Sequence, residues 1–560
     1  MTLHPRSLSS IPEMTATVAR TSFPKGNPYM KMRDELGVLY QDTDFITLFR
    51  ADCGQSALSP GQLALISVMQ FAEGLTDRQA AEAVRSRIDW KYALGLEITD
   101  SGFDYSVLSE WRSRLIAAGR ESQLLDQMLA HFQEKGWLKA RGKARTDSTH
   151  VIGAIRKMNR LECVGETLRH ALNQLAIVAD EWLLTVVNQD WSERYGTRFE
   201  QYRLPKSETE KQSLLLTIGY DGHYLLSALY DPLSPEWLRQ LKAVEILRCV
   251  WIQQYGWSGG KVYWREADDL PPHKQLITSP YDTEARNRTK RDTNWTGYTV
   301  HLTETCDRDL PHLITNVETT PASIGDVEMT QVIHESLADK HLLPQEHLVD
   351  TAYVDAQHLL TCETQLGIDL VGRVPSDSSW QEKAQQGFDL SCFTVDWEHQ
   401  QAICPQGNVS KSWHQRSDNY GNPTIQVRFR RPDCAACPVR SQCTHSPASA
   451  RVLTLKPQPL YEALAKGRAR QHTEDFKQRY ALRAGVESSL SQGIRVFGLR
   501  NARYMGLAKT RLQHIVTAAA MNLSRMWAFW RDIPIGKTRV SRFAALFFFH
   551  DCGMFGFALV

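Results

Sequence analysis

Apolar residues near the N terminus recur at helical spacing and predict two helices joined by a tight turn. Gly74 can end the first helix, and the run from Thr76 to Gln79 has the form of a capping box that begins the second. Such a pair serves either as plain helical packing or as a helix-turn-helix that binds DNA, and the pattern leaves both interpretations open. The residues on the buried face of the first helix are Leu65, Val68, Met69 and Ala72.

Further along the chain, the pattern becomes that of strands that carry acids. The run HLVD places Asp350 directly after an apolar pair, as in a buried strand that ends at a cleft. The run KARTDSTHVIG places Asp147 among β-branched residues, and alternation between Trp295 and Leu302 predicts another strand. The stretch from about Leu161 to Tyr255 is predicted to be helical, with an interruption near Pro205.

A late segment predicts a helix that carries a carboxylate beside a guanidinium. Tyr480, Arg483 and Glu487 are three and four residues apart, so they project from one stripe of a helix that Leu490 and Ile494 continue. An ordinary ion pair on an amphipathic helix has the same spacing. The rest of the sequence must therefore decide between the two interpretations.

Composition limits where nucleic acid can bind. The chain of 560 residues can build several cores, and its 65 basic against 63 acidic side chains give a net charge of only +2. Because the molecule as a whole is not a polycation, any DNA-binding surface must be local. We find no cationic segment followed by an apolar one at the start, and we expect a cytoplasmic protein that does not span a membrane.

The order of DST, then DTAYVD, then Y-x-x-R-x-x-x-E resembles the catalytic core of bacterial insertion-sequence transposases of the DDE class, with their Y-R-E-K signature. The basic residue of that signature is Arg495 here, one position later than in the family pattern. The resemblance implies that Asp147, Asp350 and Glu487 are the catalytic residues and bind Mg²⁺ or Mn²⁺, which favour hard oxygen ligands. Other acids that compete as ligands are Asp268, Asp269, Asp282, Asp326 and, most seriously, Asp355.

The same resemblance implies an α/β fold. Its parts are an RNase H-like catalytic core with a mixed sheet flanked by helices, an N-terminal all-α domain and a small cysteine-rich insertion. We expect a mobile N-terminal arm (1–58), a helical DNA-binding domain (59–140), the first part of the core with a helical insertion (141–390), a zinc-ribbon-like insertion (391–455), the second part of the core with the helix of the catalytic Glu (456–535) and a C-terminal tail (536–560).

Cysteines in the late part of the chain have the spacing of a metal site. Cys404 in CPQG is followed by DCAACPVRSQC, which holds Cys434, Cys437 and Cys443. Soft thiolates in this arrangement suit a structural Zn²⁺ site, in which His445 can replace Cys443, and reduced core cysteines are the alternative. A similar cysteine-bearing insertion occurs in one branch of these transposases.

Basic residues in two regions are candidates for DNA contacts. Arg78, Arg112 and Arg114 lie in the predicted N-terminal helices. Arg286 and Arg288 lie in a basic segment, predicted to be a loop, before the strand in W-x-G-Y-x-V-H, a stretch that also occurs in the family. A solvated charged loop is the alternative there. From the resemblance, Tyr480, Arg483 and Arg495 are further DNA-binding residues.

The function implied by the resemblance is that of a transposase. It would bind the terminal inverted repeats of an insertion sequence and target DNA, cleave and join strands with a metal, and act at least as a homodimer when two ends are paired. The alternatives are an RNase H-like nuclease that cuts without joining and a domesticated, catalytically silent DNA-binding protein. The apolar tail from Phe543 is interrupted by His550 and Asp551, which favours a packed or terminal segment over a membrane span.

Overall fold

The computed structural model describes residues 2–533, apart from 9, 50–53, 55, 376–378, 385 and 447. The predicted C-terminal tail, 536–560, lies outside the described residues. Among the described residues, no helix is long and apolar enough to cross a membrane. The first helices are α1 (Glu13–Ser22), α2 (Pro28–Leu36), α3 (Pro60–Ala72), α4 (Asp77–Ser86), α5 (Ile88–Leu94), α6 (Ser106–Ala117) and α7 (Gln123–Glu134).

The middle of the chain alternates between the strands of one sheet and a helical insertion. The first sheet strand is β1 (Lys143–Ile152). The insertion follows as α8 (Arg160–Val178), α9 (Asp180–Val186), α10 (Gln189–Tyr195), α11 (Glu208–Leu229), α12 (Lys242–Gln254) and a hairpin of β2 (Tyr255–Ser258) and β3 (Lys261–Trp264). The sheet resumes with β4 (Arg286–Lys290), β5 (Thr293–Thr305), β6 (Ile314–Pro321), α13 (Asp326–Asp339), β7 (Glu346–Val349), α14 (Ala356–Thr361) and β8 (Asp369–Val371).

The last part of the described chain contains the cysteine-rich segment and then four α-helices. The segment consists of α15 (Trp380–Ala384), β9 (Thr394–Asp396), β10 (Gln401–Ile403), β11 (Ser412–Ser417), β12 (Pro423–Arg428), α16 (Arg431–Ala435), α17 (Arg440–Cys443) and β13 (Val452–Leu455). The helices are α18 (Gln458–Arg470), α19 (Glu474–Ala481), α20 (Gly485–Phe497) and α21 (Leu507–Trp530).

In the described part of the chain, six strands form a central mixed sheet. Its order is β4-β5-β1-β7-β8, with β6 also paired to β5. Strand β1 is antiparallel to β5 and parallel to β7, and β8 is parallel to β7. Helices lie against this sheet, so the predicted α/β class with a mixed sheet is confirmed.

Helix α21 joins the N-terminal helices to the sheet. Its buried residues pack on α3 and α7 on one side and on β6 on the other. The side chain of Asn522, fully buried, accepts a hydrogen bond from Ile314 N at 2.7 Å and donates one to Ile314 O at 2.9 Å. The N-terminal helices and the sheet therefore share a hydrophobic core, and the boundary at residue 140 stays a prediction.

Local signals in the sequence give several of these elements. The capping box at Thr76 and Gln79 is present at the start of α4, Gly74 has a positive φ after α3, and β5 contains the predicted strand. The helical stretch is interrupted near Pro205, as predicted. The basic segment Arg286–Lys290 differs from its prediction, because it pairs with the start of β5 as strand β4 rather than forming a loop.

The N-terminal 58 residues also differ from the expected arm. They include α1, α2 and a 3-10 helix at Asp42–Leu48. Tyr29, Met32 and Phe45 are buried in the shared core. These elements are short, and their apolar residues do not repeat over enough turns to be recognised from the sequence. Packing in the shared core therefore provides most of their stability.

We predict that Asn522→Leu destabilises the protein. The leucine leaves the buried N–H and C=O of Ile314 without their partners, which costs about 2–4 kcal/mol of the free energy of unfolding. Urea denaturation measures this loss. The control, Ser524→Ala, is exposed on the same helix and should change stability by less than about 0.5 kcal/mol. An Asn522→Leu protein as stable as the parent would contradict this account of how α21 is held.

Candidate active site

Two of the predicted acids lie side by side at one edge of the sheet. The parallel pairing of β1 with β7 ends at Thr146 and Val349, and the next residues are Asp147 and Asp350. Since neighbouring strands are about 4.8 Å apart, the two backbones are adjacent at this point. Asp350 directly follows β7, as predicted. Asp147 lies within β1, because β1 continues along β5 as far as Ile152.

The third acid reaches this edge through an arginine. Arg483 donates from Nη1 to Asp147 Oδ2 at 3.2 Å and from Nη2 to Glu487 Oε1 at 2.9 Å. The side chain of Glu487 is 60% exposed, whereas that of Asp147 is 20% exposed. Tyr480 and Glu487 are not on one continuous α-helix, because a 3-10 turn at Leu482–Ala484 separates α19 from α20. Arg483 nevertheless links Asp147 to Glu487, although the three predicted carboxylates, as the described side chains stand, are not close enough to hold one metal ion.

Tyr480 forms an aromatic wall beside the acids. Its ring is stacked on Phe476, with centroids 5.5 Å apart and planes at 11°. Arg483 lies over the same ring, with Cζ 5.6 Å from the centroid. Burial raises the pKa of the Tyr480 hydroxyl most, Arg483 and Arg373 lower it, and Asp350 raises it. The Tyr480 hydroxyl is therefore close enough to Arg483, Arg373 and Asp350 for the charge of each to affect its pKa.

Asp147 carries an electrostatic cost in the folded protein. Burial raises the pKa of its carboxyl group most, and the nearby Asp350 and Asp326 raise it further. The backbone N–H of Ser148, which donates to Oδ1 at 2.8 Å, and the Arg483 guanidinium act in the opposite direction. The upward shift shows that the site's own cations do not fully compensate this negative charge.

Sequence reasoning gave little weight to a buried polar group next to Asp147. Ser148 Oγ donates to Asp326 Oδ1 at 3.0 Å, and Asp326 begins α13. His301 Nδ1 lies 2.7 Å from the Tyr353 hydroxyl, and burial lowers the pKa of His301 to about 4, so this imidazole is neutral at pH 7. His301 and Tyr353 are both within the family motifs, W-x-G-Y-x-V-H and DTAYVD, which is the signal that points to them.

Asp355, the main rival of Asp350, has a structural role. Its side chain caps α14 by accepting a hydrogen bond from His358 N at 2.7 Å. It also pairs with His358 Nδ1 at 2.9 Å. Burial raises the pKa of Asp355, but the hydrogen bonds from His358 outweigh burial and lower it overall.

A buried ion network holds α20 against the sheet. Glu304 of β5, almost fully buried, accepts from Arg145 Nε at 2.6 Å and Arg525 Nη1 at 2.7 Å, and also from Ser489 Oγ of α20. Arg145 Nη1 donates to Leu482 O at 2.7 Å, in the turn that contains Arg483. The network therefore connects the strand of Asp147 to the helix of Glu487.

The predicted N-terminal DNA-binding arginines have different surroundings. Arg112 forms a two-bond ion pair with Asp77, at 2.9 and 2.5 Å, and is only 13% exposed. Arg114 donates to Leu48 O at 3.3 Å. Arg78 is exposed and lies over the ring of Tyr105. Of these three side chains, Arg78 is the one that the surface presents most openly.

The later predicted arginines also divide into engaged and exposed side chains. Arg286 donates to the carbonyl oxygens of Lys274 and Thr283, and burial lowers its pKa. Arg288 Nη1 donates to Ala322 O at 3.0 Å and Ile324 O at 2.8 Å. Arg495 is exposed in the last turn of α20. The structure thus uses Arg286 and Arg288 to hold β4 in place.

The predicted zinc ligands line one small cavity in the cysteine-rich segment. Cys404, Cys434, Cys437 and Cys443 all border this cavity, of about 30 Å³, and all have free thiols. Burial raises the pKa of Cys443 most, Arg451 lowers it, and the other three cysteines raise it. As the side chains stand, no three His, Cys, Asp or Glu residues within the described ranges are close enough to hold a metal ion.

Family models match two parts of the chain. The model of the transposase DDE domain matches residues 403–527, a range that includes Glu487 and the four cysteines. The model of the transposase domain DUF772 matches residues 18–114, a range that includes α3, α4 and α6. No curated protein and no solved structure matches the chain. The two matches support an insertion-sequence transposase, a DNA-processing enzyme of the DDE type.

We predict that Asp147→Asn stabilises the protein in the absence of divalent metal. The folded pKa is raised, so the folded state binds more protons than the unfolded state between the unfolded pKa of about 3.8 and the folded value. Stability therefore falls as pH rises through this window, and the ionised group destabilises the fold at pH 7. Thermal unfolding in chelator at pH 7 should show a higher Tm for the variant than for the parent.

The control for this experiment is Asp355→Asn, which should shift Tm in the opposite direction. The pKa of Asp355 is lowered, so its ionised form stabilises the fold above the unfolded pKa. The Tm difference between Asp147→Asn and the parent should disappear below about pH 3.8. An Asp147→Asn protein that unfolds at a lower temperature at pH 7 contradicts the electrostatic account.

Proposed function

We propose that the protein is a DDE transposase that binds the terminal inverted repeats of an insertion sequence and catalyses metal-dependent strand cleavage and strand transfer. The observation that carries the proposal is that Asp147 and Asp350 follow the last paired residues of two neighbouring strands, while Arg483 bridges Asp147 to Glu487 from a distant segment. The two transposase family matches support it. The order of antiparallel and parallel strands around β1 supports an RNase H-like core.

The residues at this edge suit Mg²⁺ or Mn²⁺. Asp147, Asp350 and Glu487 would hold the metal, because carboxylate oxygens are hard ligands. Burial, and to a smaller extent Asp350 and Asp326, raise the pKa of Asp147, and a bound cation would offset this cost of ionisation. When bound, divalent metal stabilises the charge that builds up on the attacking and leaving oxygens during phosphoryl transfer.

The chain's own residues would orient the acids and the DNA. Arg483 bridges Asp147 and Glu487, and the N–H of Ser148 fixes one oxygen of Asp147. Arg483, Tyr480 and Arg495 would contact DNA phosphates near the scissile bond, where a guanidinium can form paired hydrogen bonds. Excluding water from this edge would strengthen each of these contacts.

DNA binding outside the catalytic edge would come from local basic surfaces. The net charge of +2 gives no general attraction for a duplex. Arg78 is exposed, so it remains the predicted residue best placed for phosphate contacts there. Arg112, Arg114, Arg286 and Arg288 would contribute mainly by holding the elements that present the DNA-binding surface.

A nuclease without joining activity is the second candidate, because the same three acids serve both reactions. A silent DNA-binding protein fits less well, since such a protein has no use for a half-buried Asp147 whose ionisation is unfavourable in the fold. A strand-transfer assay with terminal-repeat and target DNA separates the first two candidates. Joining of two ends further implies at least a homodimer, acting in the cytoplasm on bacterial DNA.

We predict that Asp147→Asn, Asp350→Asn and Glu487→Gln each reduce cleavage of terminal-repeat DNA by at least about a thousandfold, because each removes a carboxylate needed for metal binding. Gel assays of strand cleavage with Mg²⁺ measure this loss, and filter binding checks that DNA affinity is kept. The matched control is Asp355→Asn, which preserves a capping side chain and should keep most of the activity. Near-normal cleavage by any of the three variants removes that residue from the site.

We also propose that Cys404, Cys434, Cys437 and Cys443 hold a structural Zn²⁺. They are soft donors around one cavity, and the family branch with a similar insertion motivated the prediction. The surrounding segment has only a small core, which includes Phe393, Val427 and Leu455. A bound metal would therefore contribute a large share of the stability of this segment.

Elemental analysis tests the zinc proposal directly. Protein purified without chelators should contain about one zinc per chain, and Cys437→Ser should lose it. The control is Cys392→Ser, an exposed cysteine of the same segment that does not border the cavity. Zinc-free parent protein, or equal zinc content in both variants, rules out this site.

A further inference from the structure

A short strand brings an arginine to the same edge of the sheet as the acids. Strand β8 pairs with β7 in parallel, and the last pair is Leu348 with Val371. Asp350 directly follows the end of β7, and Arg373 comes two residues after the end of β8. Because the two strands are parallel, both residues lie beyond the C-terminal ends of neighbouring strands, on the side of the sheet that carries the aspartates.

Gly372 allows this close approach. A Cβ atom at Gly372 would lie 2.5 Å from Val354 Cγ2 and 3.1 Å from Val349 O. No larger residue fits between β8 and the turn that follows β7 without moving one of them. The backbone next to Arg373 therefore packs closely against Val349, which precedes Asp350, and Val354, which follows it by four residues.

The side chain of Arg373 rests on the aromatic wall of the site. Its Cζ lies 5.4 Å from the centroid of the Tyr480 ring, which Arg483 also contacts at 5.6 Å. The ring itself is supported by Phe476. Stacking on an aromatic ring reduces the freedom of the guanidinium while leaving its N–H groups available for hydrogen bonds.

Arg373 differs from its neighbours in having no acidic partner in the part of the chain that the structure describes. Arg470 and Arg479 both pair with Asp369 of β8, at 2.5 Å each, and Arg479 also pairs with Glu346. Arg373 forms no ion pair with any residue that the structure describes, and it is exposed. Its charge is thus available to an anion that approaches the acids from solvent.

We propose that Arg373 binds a backbone phosphate of the DNA strand at or next to the scissile position. This inference rests on the transposase activity proposed above and adds a DNA-binding residue to it. A guanidinium matches a phosphate with two parallel hydrogen bonds. Because Arg373 lies over the Tyr480 ring, which Arg483 also contacts, the phosphate that it binds is one beside the acids rather than on a distant surface.

The test combines a protein variant with neutralised DNA. Arg373→Gln should reduce cleavage about tenfold to a hundredfold, which is the loss expected for one hydrogen-bonded ion contact. Substrates that carry a single uncharged methylphosphonate at successive positions around the cleavage site should slow the parent enzyme strongly at one of them. At that position the Arg373→Gln enzyme should show no further loss. The control is Arg416→Gln, an exposed arginine on β11, which should behave as the parent.

The outcomes separate the possible failures. If the parent cleaves DNA but the losses from Arg373→Gln and from each methylphosphonate multiply at every position, Arg373 binds no phosphate and the inference is wrong. If the parent does not cleave terminal-repeat DNA with metal, the proposed function itself fails. Arg373→Lys, which keeps the charge without the fork, should recover part of the activity, and Tm measurements confirm that each variant folds.

Discussion

The candidate active site depends on the buried carboxylate of Glu304 and its two arginine partners. Arg145 lies two residues before Asp147 on β1, and Arg525 lies on α21. Together with the hydrogen bond from Ser489, these contacts hold β1, β5, α20 and α21 together next to Asp147. Burial raises the pKa of Glu304, yet Arg525 and Arg145 outweigh it and keep the pKa low. Leaving one such charge unpaired costs about 3–5 kcal/mol, so the elements can hardly separate.

This network explains the local sequence of the helix that carries Glu487. A Cβ atom at Gly485 would collide with the Arg145 guanidinium, so a larger residue where α20 begins would displace that guanidinium from its place in the network. Leu482 O accepts from the same guanidinium, which fixes the 3-10 turn that contains Arg483. The 3-10 turn between α19 and α20 therefore fixes how α20 packs against the sheet. It aims Arg483 at Asp147 while Glu487 stays exposed.

Local patterns in the sequence determined the elements whose signals are short-range. The capping box at Thr76, the alternation in β5 and the apolar pair before Asp350 each act over a few residues, so they can be recognised without the fold. The three acids were predicted from motifs that resemble a known family; the structure places Asp147 and Asp350 after paired strand positions and links Glu487 to Asp147 through Arg483. The cysteines were predicted from spacing in the same way, and they surround one cavity.

Only the tertiary structure decided which charged residues are free and which are engaged. The residue type does not distinguish Arg112, Arg286 and Arg373. In the structure, Arg286 donates to nearby backbone carbonyls, whereas Arg112 pairs with Asp77 and Arg373 lies over the ring of Tyr480, both supplied by other segments. The pairing of Glu304 with Arg145 and Arg525 spans up to 221 residues for the same reason. A sequence fixes residue types and local geometry, whereas electrostatic partners depend on packing between segments that no local pattern relates.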